Sequence, residues 1–230
     1  MRASVHVADV GLRSALALTR KPPAAGSIPG LRNAEVGIAA PLSASLLPKP
    51  QFGRAAFVGF WEDDDAIDRF VAEHPLAAQF ASGWQTRLEP LRAFGSWPGL
   101  PPEVPSARRV EHEGPVAVVT LGRLRASQAL RFFRASGKAE GAVVKAPGLL
   151  WATGIARVPK IVATCSLWES STAAATYAYG HREPAHSNAI SAGEEKAFHY
   201  QQAFIRFRPY AARGHLDGRN ALPEGAFASS

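Results

Sequence analysis

Seven histidines and a single cysteine are the donors in this 230-residue chain with the most chemistry open to them. His186 has the most suggestive setting. On a helix starting at Ala185 it shares a face with Ala189, Ile190 and Gly193, at spacings of three, four and seven. Small neighbours let a flat cofactor approach the imidazole, and Pro184 suits the first turn that would hold it on a rigid element. A packed, hydrogen-bonded histidine has the same pattern, so iron ligand and core residue both stay open. His199 precedes the last strand on the parity of Ala203, Ile205 and Phe207, and either points inward or simply starts the strand. His181 stands five residues before His186 and thirteen after Trp168, as His74 stands thirteen after Trp61, a repetition that favours ending a helix.

Other constellations are absent or have a structural reading. No histidine pair with a helical glutamate, and no cluster of two histidines and a carboxylate, has metal-ligand spacing. The acidic run Glu62-Asp63-Asp64-Asp65 opens an expected helix, where capping side chains and negative charge are favoured. Trp61 and Trp168 close their strands and are read as rings bridging sheet and helix. Cys165 lies mid-strand as a small core residue. Neither GxGxxG nor GxxxxGK[ST] occurs, and there is no serine-hydrolase elbow.

The elements that must position these residues follow from an internal repeat. Pro29-Gly30-Leu31 recurs as Pro147-Gly148-Leu149, Gly37-Ile38-Ala39 as Gly154-Ile155-Ala156, and Trp61-Glu62 as Trp168-Glu169, at offsets of 118, 117 and 107. The first half therefore carries about ten extra residues, assigned to a loop within Pro41 to Pro50. In the second half Val116–Leu121, Leu149–Ala156, Ile161–Trp168 and Ala203–Arg208 read as strands. Helices are expected over Ser127–Arg134, from Ser170 or Ser171 through Tyr179, and over Ala185–Glu195. The first half gives the same order more faintly, with Val5–Ala8 and Arg87–Phe94 as weak strands. The fold class is α+β: tandem βαββαβ ferredoxin-like repeats whose bare sheet faces meet in a dimeric α/β-barrel-like single domain, helices outside. The expected boundaries are a first repeat over 1–97, a Pro-rich linker over 98–113, a second repeat over 114–216 and a flexible tail over 217–230.

Composition sets the outer limits. With 47% hydrophobic and 20% charged residues, the chain can bury roughly 70% of its unfolded surface in a core of its own. Collagen, coiled coil and wholesale disorder are excluded. One cysteine makes no internal bridge, so a reducing, cytoplasmic setting is expected. The apolar stretch Ala15–Leu18 is too short for a signal core or a bilayer span. The formal charge of +7 is spread over scattered arginines rather than a basic stripe, and nucleic acid is not an expected partner.

Longer strings add a resemblance. Pro147-Gly148-Leu149-Leu150-Trp151-Ala152-Thr153-Gly154-Ile155-Ala156, then Ala163-Thr164-Cys165-Ser166-Leu167-Trp168, Pro184-Ala185-His186-Ser187-Asn188-Ala189-Ile190 and Phe204-Ile205-Arg206-Phe207 resemble, in that order, the spheroidene monooxygenase family of carotenoid biosynthesis. The resemblance implies an enzyme that inserts oxygen from O2 into a carotenoid or similar apolar molecule, using haem iron and electrons from a ferredoxin-like donor. It implies His186 as the proximal iron ligand and His199 as the reserve. Arg206, Arg208, Arg157 and Lys145 are placed by position as cationic partners for the haem propionates, with His181 beside them. An apolar channel lined by both sheet faces would hold the substrate. Peripheral membrane contact, pairing into a homodimer and a redox partner protein complete the expectation. The alternative is a non-catalytic barrel that binds haem or an apolar ligand.

Overall fold

In the computed structural model of the chain, residues 1–42, 51–107, 112–129, 131–132, 143–180 and 198–222 are described. The first half runs β1 (Arg2–Asp9), α1 (Leu12–Arg20), β2 (Leu31–Pro41), β3 (Arg54–Trp61), α2 (Asp64–Glu73), α3 (Pro75–Gln79) and β4 (Trp84–Gly95). The second runs β5 (Val116–Leu124), a 3-10 turn (Ala126–Gln128), β6 (Leu149–Arg157), β7 (Ile161–Trp168), α4 (Ser171–Gly180) and β8 (His199–Gly214). The expected helix over Ser127–Arg134 starts as that turn and continues as helix at 129, 131 and 132 before leaving the described residues, and the one over Ala185–Glu195 lies wholly outside them.

The eight strands close into an antiparallel barrel in the order β1-β3-β2-β6-β7-β5-β8-β4. Two seams join the halves: β2 to β6, over Ile38–Pro41, and β4 to β8, from Trp84 to Gly95. Alternation decides which side chains enter the barrel. Ala3, Val5 and Val7 point in from β1, Val119 and Leu121 from β5, and Ala203, Ile205 and Phe207 from β8. On the outside, α1, α2 and α3 lie over Val36, Phe57 and Trp61 with Ala15, Ile67 and Phe70. The acidic run caps a helix, as its composition implies: Asp63 Oδ1 accepts from the Ala66 amide at 2.9 Å. Among the described residues no helix is long and apolar enough to cross a membrane.

The repeated strings have different fates. Gly30 and Gly148 both adopt positive φ, 74° and 79°, and their carbonyls accept from the Glu62 and Glu169 amides at 2.9 and 2.8 Å. A Cβ at either would come within 2.4 Å of Ala66 Cβ or 2.6 Å of Ala173 Cβ, so only glycine fits. The Gly-Ile-Ala match is instead a coincidence of letters. The pairing register makes Gly37 equivalent to Ile155, not to Gly154, so the two strings point their residues to opposite sides of the wall.

The interior differs from the expected open channel: it is packed with side chains. Phe60, Trp84, Leu88, Leu121, Cys165, Leu167, Ile205 and Phe207 fill it, all at or near zero exposure. Trp97, Leu100 and Val104, from the segment after β4, pack into one end. Residues 217–222 of the expected tail belong to the cover of the other, where Leu216 and Leu222 are buried and Trp84 Nε1 donates to Asn220 Oδ1 at 2.8 Å. Arg54 holds that cover down, donating to both Asp9 and Asp217. An eight-stranded barrel has room for its own side chains or for one small ligand, and here large side chains take up the middle of it.

Candidate functional site

His186 and His181 lie outside the described residues. Of the other predicted site residues, His199 does not point inward. Between Arg123 and Leu124 the β5–β8 register shifts, so that two β8 residues stand against one on β5. This bulge flips the parity read from Ala203, Ile205 and Phe207, and the His199 ring lies on the outer wall. There it rests against Gly122, where a Cβ would come within 2.5 Å of the ring, and meets Phe132 edge-on at 5.2 Å.

The four cations are dispersed. Arg206 and Arg208 alternate with Ile205 and Phe207 and so face outward. Arg208 Nη2 donates to Glu89, which also accepts from Arg2 at 2.7 Å, so its charge is matched within the wall. Arg157 faces into the barrel and donates to Glu35 Oε2 at 2.5 Å. Lys145 is exposed in the turn before β6. The described residues thus assemble no ring of cations around a cavity, and among them no cluster of three or more metal-ligating side chains exists.

A difference between the halves points to the outer wall instead. In the first half the neighbours His6, Phe57 and Val36, on β1, β3 and β2, are buried under the helices. The same row of the second half holds Thr120, Thr164 and Gly154, all only half-buried. An imidazole, a phenyl ring and an isopropyl group give way to two hydroxyls and a hydrogen. Phe204 flanks this row on β8 and is half-buried too. Among the described residues this floor carries less side-chain bulk than its first-half counterpart, with Leu42 Cδ2 3.3 Å from where a Cβ on Gly154 would sit. To a planar cofactor the described residues offer that reduced bulk and the two threonine hydroxyls. No single motif marks the floor in the sequence; it emerges only when the halves are set in register.

The contrast extends to His6. Its ring is enclosed by Phe57, Phe70 and Phe80, and its Nε2 lies 3.0 Å from Ser4 Oγ, which also accepts from Trp61 Nε1 at 2.9 Å. Burial pushes its pKa down to about 3, helped by the positive charges of Arg213 and Arg87, so the ring is a neutral packing element. Trp168, the counterpart of Trp61, donates to Ser166 Oγ at 2.9 Å. The hydroxyl has moved across the strand pair, from Ser4 opposite Gly59 to Ser166 opposite Val118. A Cβ at Gly59 would lie 2.6 Å from the Trp61 indole nitrogen, which explains why the first half keeps glycine there.

Comparison with known proteins places the chain. No family model matches it. It is 32% identical over 176 residues to the spheroidene monooxygenase of Rubrivivax gelatinosus, covering 74% of this chain and 66% of that protein. Identity is 23% to the enzyme of the same name from Cereibacter sphaeroides, covering 77% and 56%, and 25% to that of Rhodobacter capsulatus, covering 76% and 74%. The match thus spans less than two thirds of the first two relatives' own length. Among solved structures, an anthrone oxidase-like protein covers 96% of this chain at 13% identity and TM-score 0.35. A candidate monooxygenase from Fusobacterium nucleatum covers 94% at 9% identity and TM-score 0.39. Over about three quarters of its length the chain is thus similar to three proteins named spheroidene monooxygenase.

Proposed function

We propose that this chain is a monooxygenase that inserts one oxygen atom of O2 into a carotenoid or similarly apolar molecule, with haem as its cofactor. The observation that carries the reading is the stripped floor of the second half, where Thr120, Thr164 and Gly154 replace His6, Phe57 and Val36. Similarity to three proteins named spheroidene monooxygenase supports the reaction class. His186 is the proposed proximal ligand, and the bound group would supply the reduction and activation of O2 that side chains cannot perform. One oxygen atom enters a C–H bond of the substrate, and the other leaves as water with two electrons and two protons. A ferredoxin-like protein is the proposed electron source.

The chain's own residues have the tasks of binding and orientation. Phe204 and the floor offer apolar and weakly polar contact to an extended molecule, while the Thr120 and Thr164 hydroxyls supply hydrogen bonds at its face. We further propose that each half is a ferredoxin-like unit, the two divided near residues 98–113, in a cytoplasmic protein that touches membranes to collect its substrate.

Reconstitution with haemin tests the reading. A protein-bound Soret band that disappears or shifts in His186→Ala, with an oxygenated product from an added polyene under reducing conditions, is the expected result. No Soret band in the wild-type protein overturns the haem assignment. A band without product leaves a haem-binding barrel and overturns the monooxygenase.

A further inference from the structure

Inside the barrel, at the end packed by Trp97, the wall carries a carboxylate where a hydrophobic residue belongs. Glu35 lies on β2 between Ala34 and Val36, which face outward, and its cross-strand partner is the core residue Val58. It is 3% exposed. Arg157 Nη2 stands 2.5 Å from one of its oxygens and Arg123 Nη2 3.9 Å from the other. The Arg123 guanidinium also lies over the Trp97 ring, 5.0 Å from its centroid. Asn33 stands two residues before Glu35 on the same strand, and a Cβ on Gly99, two residues after Trp97, would meet Asn33 Cβ at 2.8 Å. Five polar or amphipathic side chains therefore share one end of an otherwise apolar interior.

Their charge and hydrogen bonding do not balance. Two guanidiniums face one carboxylate, leaving one net positive charge. Buried with no hydrogen-bond partner among the described residues are Arg157 Nε, Trp97 Nε1 and Asn33 Nδ2. Guanidinium and indole nitrogens can only donate, and Trp97 as a whole is 3% exposed. Buried donors are almost always satisfied, and several at one place with surplus positive charge favour an acceptor that carries negative charge. Glu35 occupies Nη2 of Arg157, so its buried Nε is still to be matched, and two acceptor atoms are needed to reach both it and the indole.

We propose that this end of the barrel is a receptor for one small planar oxyanion of the carboxylate class, held by Arg157 Nε–H and Trp97 Nε1–H with Asn33 as the third donor. Arg123 and Arg157 supply the charge, and Glu35 fixes both guanidiniums in place. The segment that follows β4 also lines two clefts of about 340 and 300 Å³, the second walled in part by Ser96 and Leu100, which stand on either side of Trp97 in the sequence. The proposal stands apart from the oxygenase reading, since it involves neither the outer floor nor a haem.

The test follows the donor protons in the full chain labelled with nitrogen-15. The Trp97 indole resonance is the one lost in Trp97→Phe, and the Arg157 Nε–H resonance the one lost in Arg157→Lys. Sodium formate is titrated at constant ionic strength. Both resonances are expected to move downfield along one saturable curve, and Asn33→Ala to raise the apparent Kd about tenfold. If neither resonance moves at any formate concentration the fold tolerates, the donors are bridged by water and the proposal fails. It fails equally if both move but Asn33→Ala leaves the curve unchanged, because the ion then binds elsewhere.

Discussion

Glu35 and Arg157 form an ion pair across the β2–β6 seam, with 2.5 Å between Oε2 and Nη2 and the carboxylate side chain 4% exposed. Removing one member of such a pair strands charge in a medium that solvates it poorly. Glu35→Ala leaves Arg123 and Arg157 facing each other and is expected to cost roughly 3 kcal/mol, the lower end of the range for a buried pair because Arg157 keeps some contact with water. Urea unfolding measures it. The double variant Glu35→Leu, Arg157→Met is expected to be more stable than Glu35→Ala, since no charged partner of the pair is left behind.

His6 gives the fold a pH dependence of its own. Its folded pKa of about 3 lies below the usual histidine value near 6.5, so the unfolded chain takes up the proton first. Its contribution is complete above pH 6.5 and is lost as the pH falls towards 3, at about 1.4 kcal/mol per pH unit. Between pH 6 and 5, where most carboxylates are still ionised, the slope of unfolding free energy against pH should flatten in His6→Phe. An unchanged slope would mean the ring is not buried neutral.

Arg54 ties the C-terminal cover to the barrel. Its hydrogen bonds hold the Asp217 carboxyl below the usual carboxylate range. The contribution of that contact is present above the ordinary carboxylate pKa and is lost as the pH drops through the lowered one. Asp217→Asn is therefore expected to increase hydrogen exchange at Leu216 and Leu222 at neutral pH, reproducing what acid does to the wild-type protein. Exchange within β3 should stay slow in both.

Cys165 is a probe of barrel opening. It is fully buried on β7, and that burial pushes its thiol pKa up to about 12. A thiol reagent should label it only as fast as the barrel opens, with a rate that stops rising once reagent is in excess. A rate equal to that of a cysteine in the unfolded chain would place the thiol at the surface.

How much of this was written legibly in the chain varies with the physics behind each feature. Strands such as Ile161–Trp168 showed themselves because a wall with one face inward alternates, and Pro-Gly-Leu recurs because a positive φ and a close helix leave no other choice at Gly30 and Gly148. Gly-Ile-Ala misled, since short strings of common residues recur by chance and only pairing register reveals which face they serve. The bulge beside Tyr200 was equally hidden: one extra residue reverses every parity argument upstream of it, and nothing in its type announces it. Glu35 escaped notice because neither Arg123 nor Arg157 is near it in sequence, and the barrel alone brings the three together. The outer floor was invisible for a related reason, being defined by what Thr120, Thr164 and Gly154 lack relative to the other half.

The two seams have a final consequence. Each half offers two outer strand edges, β2 and β4 in one and β6 and β8 in the other, and every one is matched by an edge of its opposite. Severed near residue 107, the fragments would each display two raw edges, and their reunion would fade on dilution. The covalent tether makes that reunion independent of how much protein the cell contains, and frees the halves to diverge without losing their mate.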